Sequence, residues 1–230
     1  MRVFLCLIFA VLLSSCIKPK IVKTTYVVKD KIYLALGDSY TSGEGVNTQE
    51  SFPYQLVARL NGSGVKTLEP EVIAMTGWTS ADLLAGIQAR KITKKYDFVT
   101  LQIGVNNQFS RLSPVIYRKE FNQLLNIAIS HSIGGRATVY VISIPDWSVT
   151  PQGRRRKDYH LVPKEIDEFN AINREESLNE SVNYIDITPR SRLALTETSL
   201  LSIDSLHPSK KFYGEWVDSL FPLVRKELYW

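Results

Sequence analysis

A serine hydroxyl becomes a useful nucleophile only beside a base, and the base works only when a third group fixes its tautomer. The chain offers three histidines for that task, His131, His160 and His207. His131 falls at the end of an amphipathic stretch, and His160 follows the basic run Arg154-Arg155-Arg156-Lys157 in a polar segment. His207 stands in Asp204-Ser205-Leu206-His207-Pro208, with a carboxylate three residues earlier and a proline that favours an extended backbone at the histidine. Such a turn lets Asp204 accept from one ring nitrogen and leaves the other free to take a proton. The matching serine is Ser39 in Gly37-Asp38-Ser39-Tyr40, with Ser42 in the same segment as the next candidate. Taken alone, the tripeptide fits a turn capped by Asp38 and Ser39 equally well, and the His207 segment fits a helix start with an incidental histidine.

These residues are useful only if folding joins segments far apart in sequence. Short apolar runs alternate with longer amphipathic ones, without internal repeats, which is the pattern of βαβ units. Strands are predicted at residues 32–36, 71–74, 98–103, 138–144 and 184–187. Helices are predicted at 54–60, 80–89 and 114–129, from Pro163 onwards, and at 208–228. Leu83, Leu84 and Ile87 share one helical face, as do Phe121, Leu124, Leu125 and Ala128. Five strands joined by helical crossovers predict an α/β fold of three layers, a doubly wound five-stranded parallel sheet covered on both faces. Ligands of such sheets bind outside the carboxyl ends of the strands. The Ser39 turn follows the first strand, and the loop at 145–162 that carries the arginines follows the fourth.

The Gly-Asp-Ser block after strand one and the Asp-x-x-His block before the last helix resemble those of SGNH (GDSL-like) hydrolases. Two more blocks fit: Met75-Thr76-Gly77-Trp78-Thr79 after strand two and Gly104-Val105-Asn106-Asn107 after strand three. The resemblance spans about residues 31–229. It implies a serine esterase that forms an acyl-enzyme on Ser39, with His207 as base and then acid and Asp204 orienting it. The oxyanion donors it implies are the backbone amides of Ser39 and Gly77 and the side-chain amide of Asn106. No metal or organic cofactor is required. Asn107 departs from the pattern, since the family usually has aspartate there, which leaves the role of that carboxylate open. The family includes lipases, lysophospholipases, thioesterases and carbohydrate deacetylases. Without a long apolar lid segment, a short acyl group on a polysaccharide or small ester is favoured. An O-acyltransferase, a lysophospholipase-type lipase and a non-catalytic envelope-binding lipoprotein are the alternatives; intact Ser39, Asn106, Asp204 and His207 argue against the last.

The amino terminus adds a location. Arg2 precedes an apolar run at 3–13, and Leu13-Ser14-Ser15-Cys16 resembles the lipobox of bacterial lipoproteins, in which the cysteine is lipidated. A run of about eleven residues cannot cross a hydrocarbon core that needs about twenty. The predicted organisation is a signal peptide at 1–15, a lipidated Cys16 with its tether at 16–30, and one hydrolase domain at 31–230, anchored to a bacterial membrane in the cell envelope. A chain of 230 residues, 44% hydrophobic, suffices for one sizeable core rather than two enzyme domains. The only cysteines are Cys6 and Cys16, so processing leaves no thiol for disulfide or redox chemistry. Loss of Arg2 lowers the net charge of +5 by one, and lysines at 18, 20, 23, 29 and 31 crowd the tether. The basic run at 154–157 lacks interleaved stacking aromatics, so the charge does not argue for nucleic acid. It lies on the predicted catalytic side, where it either attracts anionic substrates or forms a solvated loop.

Overall fold

The computed structural model describes residues 29–229. Cys6 and Cys16, and with them the predicted signal segment and most of the tether, lie outside the described residues. Five parallel strands, β1 (Tyr33–Gly37), β2 (Glu71–Ala74), β3 (Phe98–Gln102), β4 (Val139–Ile142) and β5 (Asn183–Ile185), form one sheet in the order β2-β1-β3-β4-β5. All residues of β1, β3 and β4 are buried, whereas the edge strands β2 and β5 are only partly so. Central strands covered on both faces are largely apolar, with Thr100 and Gln102 of β3 as buried polar exceptions, which explains the apolar runs seen in the sequence.

Eight helices follow in chain order among the described residues: α1 (Ser39–Ser42), α2 (Phe52–Gly62), α3 (Ser80–Arg90), α4 (Val105–Phe109), α5 (Pro114–His131), α6 (Val162–Asn179), α7 (Thr188–Ser191) and α8 (Lys210–Leu228). α2 packs on α8, while α5 packs against both α3 and α6 and against β3, so helices cover the two faces of the sheet. The predicted stripes face inward: Leu83 and Ile87 on α3, and Phe121, Leu124, Leu125 and Ala128 on α5, are buried. None of the described helices is long and apolar enough to cross a membrane.

Most element bounds differ from the sequence reading by a few residues, and the short helices α1, α4 and α7 are added. The fifth strand occupies 183–185 rather than 184–187, because the chain turns at Ile187 into the short α7. The last helix starts at Lys210 because the Ser209 hydroxyl caps it, accepting from the Phe212 amide at 3.3 Å, while Pro208 bridges to Leu201. The helices α1 and α4 have four and five residues, too few to produce a readable period. Both sit at the carboxyl edge of the sheet, directly after β1 and β3.

Candidate active site

Gly37 ends β1, paired with Ala74 on one side and Gln102 on the other. A methyl group there would lie 2.0 Å from the Thr41 hydroxyl oxygen, so the close return of α1 over the strand end requires glycine. Asp38 caps α1 by accepting from the Tyr40 amide at 3.0 Å, which leaves Ser39 as the first helical residue. The side chain of Ser39 therefore projects at the sheet edge, and its amide is among those a helix start leaves without an internal partner. The sequence admitted either a capped turn or a nucleophile position; the structure shows the Asp38 cap, with Ser39 following it at the sheet edge.

The facing segment comes from the turn before α8. His207 Nε2 lies 3.0 Å from Ser39 Oγ, and His207 Nδ1 lies 2.7 Å from Asp204 Oδ2. The second carboxylate oxygen of Asp204 accepts from the amides of Leu206 and His207, each at 2.9 Å, and from the Ser202 hydroxyl at 2.7 Å. Burial acts to raise the Asp204 pKa, but the hydrogen bonds from Ser202 and His207 outweigh it and hold the carboxyl at about 2. Asp204 is thus a fixed anion, able to orient the imidazole and to stabilise its protonated form. Between them Ser205 takes a left-handed conformation, with φ of 60°, and its carbonyl accepts from the Gln152 amide of the β4–α6 loop at 3.3 Å.

Gly77 and Asn106 line the same cavity as Ser39 and His207. Gly77 has φ of 85°, a backbone conformation that disfavours any side chain, in the turn after β2. Asn106 is the second residue of α4, and its amide nitrogen donates to the Trp78 carbonyl at 2.9 Å, leaving its second hydrogen for another acceptor. Asn107 points away from the cavity and is buried. It accepts from the Ser80 amide at 2.9 Å and donates to the Ser80 hydroxyl at 2.7 Å, while that hydroxyl donates to Glu120 on α5. Adjacent asparagines thereby stitch the start of α4 to the turn that holds Gly77. The carboxylate missing at position 107 stands one hydrogen bond further away, at Glu120.

The remaining candidates lie elsewhere. His131 ends α5 with Nδ1 at 3.1 Å from the Lys94 carbonyl oxygen, and His160 is exposed. The Ser42 hydroxyl donates to the Ser39 carbonyl at 3.3 Å. Among the described residues no cluster of three or more histidine, cysteine or acidic side chains could hold a metal ion. Sequence reasoning missed Phe109 and Trp147, which line the cavity, and Gln108, which binds the Trp147 indole. Phe109 and Gln108 lie on α4, the helix too short to announce itself.

Residues 35–214 match the model of the GDSL-like lipase/acylhydrolase family, and that stretch includes all four blocks. The chain belongs to this family. Similar solved structures agree in fold. A lipase/acylhydrolase from Enterococcus faecalis is 18% identical with a TM-score of 0.68, and the match covers 85% of this chain and 96% of that one. TesA is 17% identical at a TM-score of 0.66, over 86% and 99% of the two chains. The acetyl xylan esterase AlAXEase is 16% identical at a TM-score of 0.67, over 84% and 98%. No curated protein matches the chain. This family member is an esterase-type hydrolase acting on ester bonds.

Proposed function

We propose that the enzyme hydrolyses carboxylic esters through an acyl-enzyme on Ser39. The observation that carries this reading is the continuous chain from Ser39 Oγ to His207 Nε2 at 3.0 Å and from His207 Nδ1 to Asp204 at 2.7 Å. His207 takes the Ser39 proton as the oxygen attacks the ester carbonyl. Negative charge develops on the carbonyl oxygen, facing the amides of Ser39 and Gly77 and the free hydrogen of the Asn106 amide. Each such fixed donor lowers the barrier by about 3 kcal/mol. His207 returns the proton to the departing alcohol, then activates the water that releases the acid. A fluorophosphonate probe should label the wild type and not Ser39→Ala. Labelling that persists in the variant would overturn the assignment.

The preferred substrate is a short O-acyl group on a carbohydrate or small alcohol. The cavity beside Ser39 has a volume of about 180 Å³, and the similar fold of an acetyl xylan esterase is consistent with this class. A panel of acetylated sugars, short acyl esters and lysophospholipids tests it, with preference for the last as the contrary result.

Cys16 is the proposed lipid anchor, on the strength of Leu13-Ser14-Ser15-Cys16, with the hydrolase domain beginning near residue 31 and the protein held in the cell envelope. The described chain enters at the amino end of β1, whereas Ser39 follows its carboxyl end, about 17 Å away along a five-residue strand. An anchor entering there favours substrates on the side away from its own membrane, in keeping with a polymer or small ester. Membrane fractionation of Cys16→Ser tests the anchor: signal-cleaved variant still in the detergent-soluble membrane fraction would sink it.

A further inference from the structure

The cavity beside Ser39 and His207 is also lined by the apolar Val105, Phe109, Trp147 and Leu206, and Trp147 among them is held by several neighbours. Trp147 stands in the single turn Trp147–Val149 after β4 and is 4% exposed. Its indole nitrogen donates to Gln108 Oε1 at 2.8 Å, and Gln108 Nε2 donates to Glu165 on α6 at 2.6 Å. Phe109 packs against it with ring centroids 5.3 Å apart. The Arg156 guanidinium lies over both rings, 4.6 Å from Phe109 and 5.6 Å from Trp147, and is itself held by two hydrogen bonds of 3.0 Å to Asp158. The preceding residue is equally constrained, since Asp146 accepts from the Ser148 amide at 3.0 Å and from Arg192 Nε at 2.9 Å.

We infer that Trp147 ends the acyl pocket and sets the longest acyl chain the enzyme takes, at about six carbons. This inference rests on the esterase reading above and deepens it. A dry apolar cavity of about 150 Å³ accommodates benzene, a six-carbon ligand. The cavity here has about 180 Å³, part of it beside the polar groups that hold the ester carbonyl. A longer chain would have to displace the indole, which strands a buried N–H donor and the Gln108 carbonyl and breaks the stack under Arg156. A tryptophan held by one neighbour could swing aside. This one is held by a hydrogen bond, the Phe109 ring, the Arg156 guanidinium and a pinned backbone, so the wall stays in place. Arg156 is accordingly a positioning residue, and the basic run does not act as one uniform patch.

The test is a p-nitrophenyl ester series from acetyl to decanoyl. For the wild type, kcat/KM should rise roughly fourfold per methylene placed in the cavity. It should peak near butyryl to hexanoyl, then fall by about tenfold or more by decanoyl as overpacking sets in. Trp147→Ala should raise the decanoyl-to-butyryl ratio by about tenfold or more while the acetyl ester changes by less than about threefold. Phe109 is 48% exposed, so Phe109→Ala should fold whether or not Trp147→Ala does, and it should shift the ratio in the same direction. Gln108→Leu, which frees the indole without removing it, should give a smaller shift of the same sign. A chain-length profile unchanged in folded variants overturns the inference. So does a change confined to leaving-group preference, read with phenyl, ethyl and sugar acetates. A wild type inert to every ester and to fluorophosphonate overturns the esterase reading itself, a result distinct from an unshifted profile.

Discussion

Two carboxylates flank the reacting pair, Asp38 immediately before Ser39 and Asp204 three residues before His207, and their surroundings drive them to opposite states. Asp38 is fully buried, accepts one hydrogen bond from the Tyr40 amide, and its Oδ2 has no partner among the described residues. Burial pushes its pKa up to about 8, with the Tyr40 bond opposing only in part. Asp204 keeps one side to solvent and collects donors from Ser202, the Leu206 amide, and the amide and Nδ1 of His207. Those bonds overcome its burial and hold it at about 2. Burial thus favours the neutral form of one acid, which shapes a turn, while hydrogen bonds hold the other charged beside the histidine. Residue type is the same; the number of donors and the access of water decide the charge.

Replacing each acid by its amide separates the two states most sharply. Asp204→Asn should lower kcat by about ten-thousandfold, because the amide favours the wrong imidazole tautomer. His207→Ala should cost more, roughly a millionfold. Asp38→Asn keeps the cap and replaces a neutral acid by a neutral amide, so its kcat should stay within about tenfold of wild type. Steady-state kinetics on one small ester reads all three. Similar losses in the two amide variants would mean that Asp38 works as an anion and that the comparison is wrong.

Asn106→Ala should lower turnover by about a hundredfold or more with little change in KM, since it removes a donor used in the transition state. An effect confined to KM would move Asn106 to ground-state binding. Asn107→Ala leaves that amide in place but frees Ser80, so a smaller loss in kcat, on the order of tenfold, is expected.

Stability should carry the same contrast with opposite sign. The unfolded Asp38 carboxyl releases its proton near pH 4, whereas the folded one keeps it to about 8. Between these values the unfolded chain binds fewer protons, so this group's contribution falls as pH rises, by on the order of a few kcal/mol. Asp38→Asn should flatten that decline, raising the urea midpoint at pH 8 relative to pH 5 when set against wild type. Asp204, with its folded pKa lowered, contributes stability that is present above pH 4 and is lost as pH falls towards 2. A decline between pH 5 and 8 that survives in Asp38→Asn would show that the buried acid is already ionised.

Period and punctuation made the scaffold legible. Buried central strands read as mostly apolar runs, and α3 and α5 show their inward stripes. Three of the four blocks directly follow β1, β2 and β3, because this fold exposes those strand ends, and the fourth, Asp204–His207, lies in the turn before α8. Other features had no signature. The protonation of Asp38 depends on burial that no tripeptide encodes, and the stitch through Asn107, Ser80 and Glu120 joins residues on three different elements. Trp147 was legible as a residue of a long loop, but its partners Gln108 and Arg156 lie 39 and 9 positions away, respectively. Nothing periodic links them.

The smallest effect concerns the basic run, where the sequence left attraction of an anionic substrate and simple solvation both open. Arg154, Arg155 and Lys157 are exposed on the loop that touches the Asp204–His207 turn, whereas Arg156 is half-buried over Phe109 and Trp147. Arg154 lies 5.3 Å over the Tyr159 ring, and towards a substrate the exposed three act through water and its ions, across a Debye length of about 8 Å at 0.15 M ionic strength. Replacing Arg154, Arg155 and Lys157 together by glutamine should therefore lower kcat/KM for an anionic ester by less than about threefold, leave a neutral ester unchanged, and lose even that difference near 1 M salt. Arg156→Gln should differ in kind, being insensitive to salt and visible on neutral esters as a relaxed chain-length limit, because its work is stacking rather than field. A salt series on matched anionic and neutral esters separates the two. A salt-independent loss on both esters from the triple variant would show that the exposed cations hold the loop itself, and the division drawn within this run would fail.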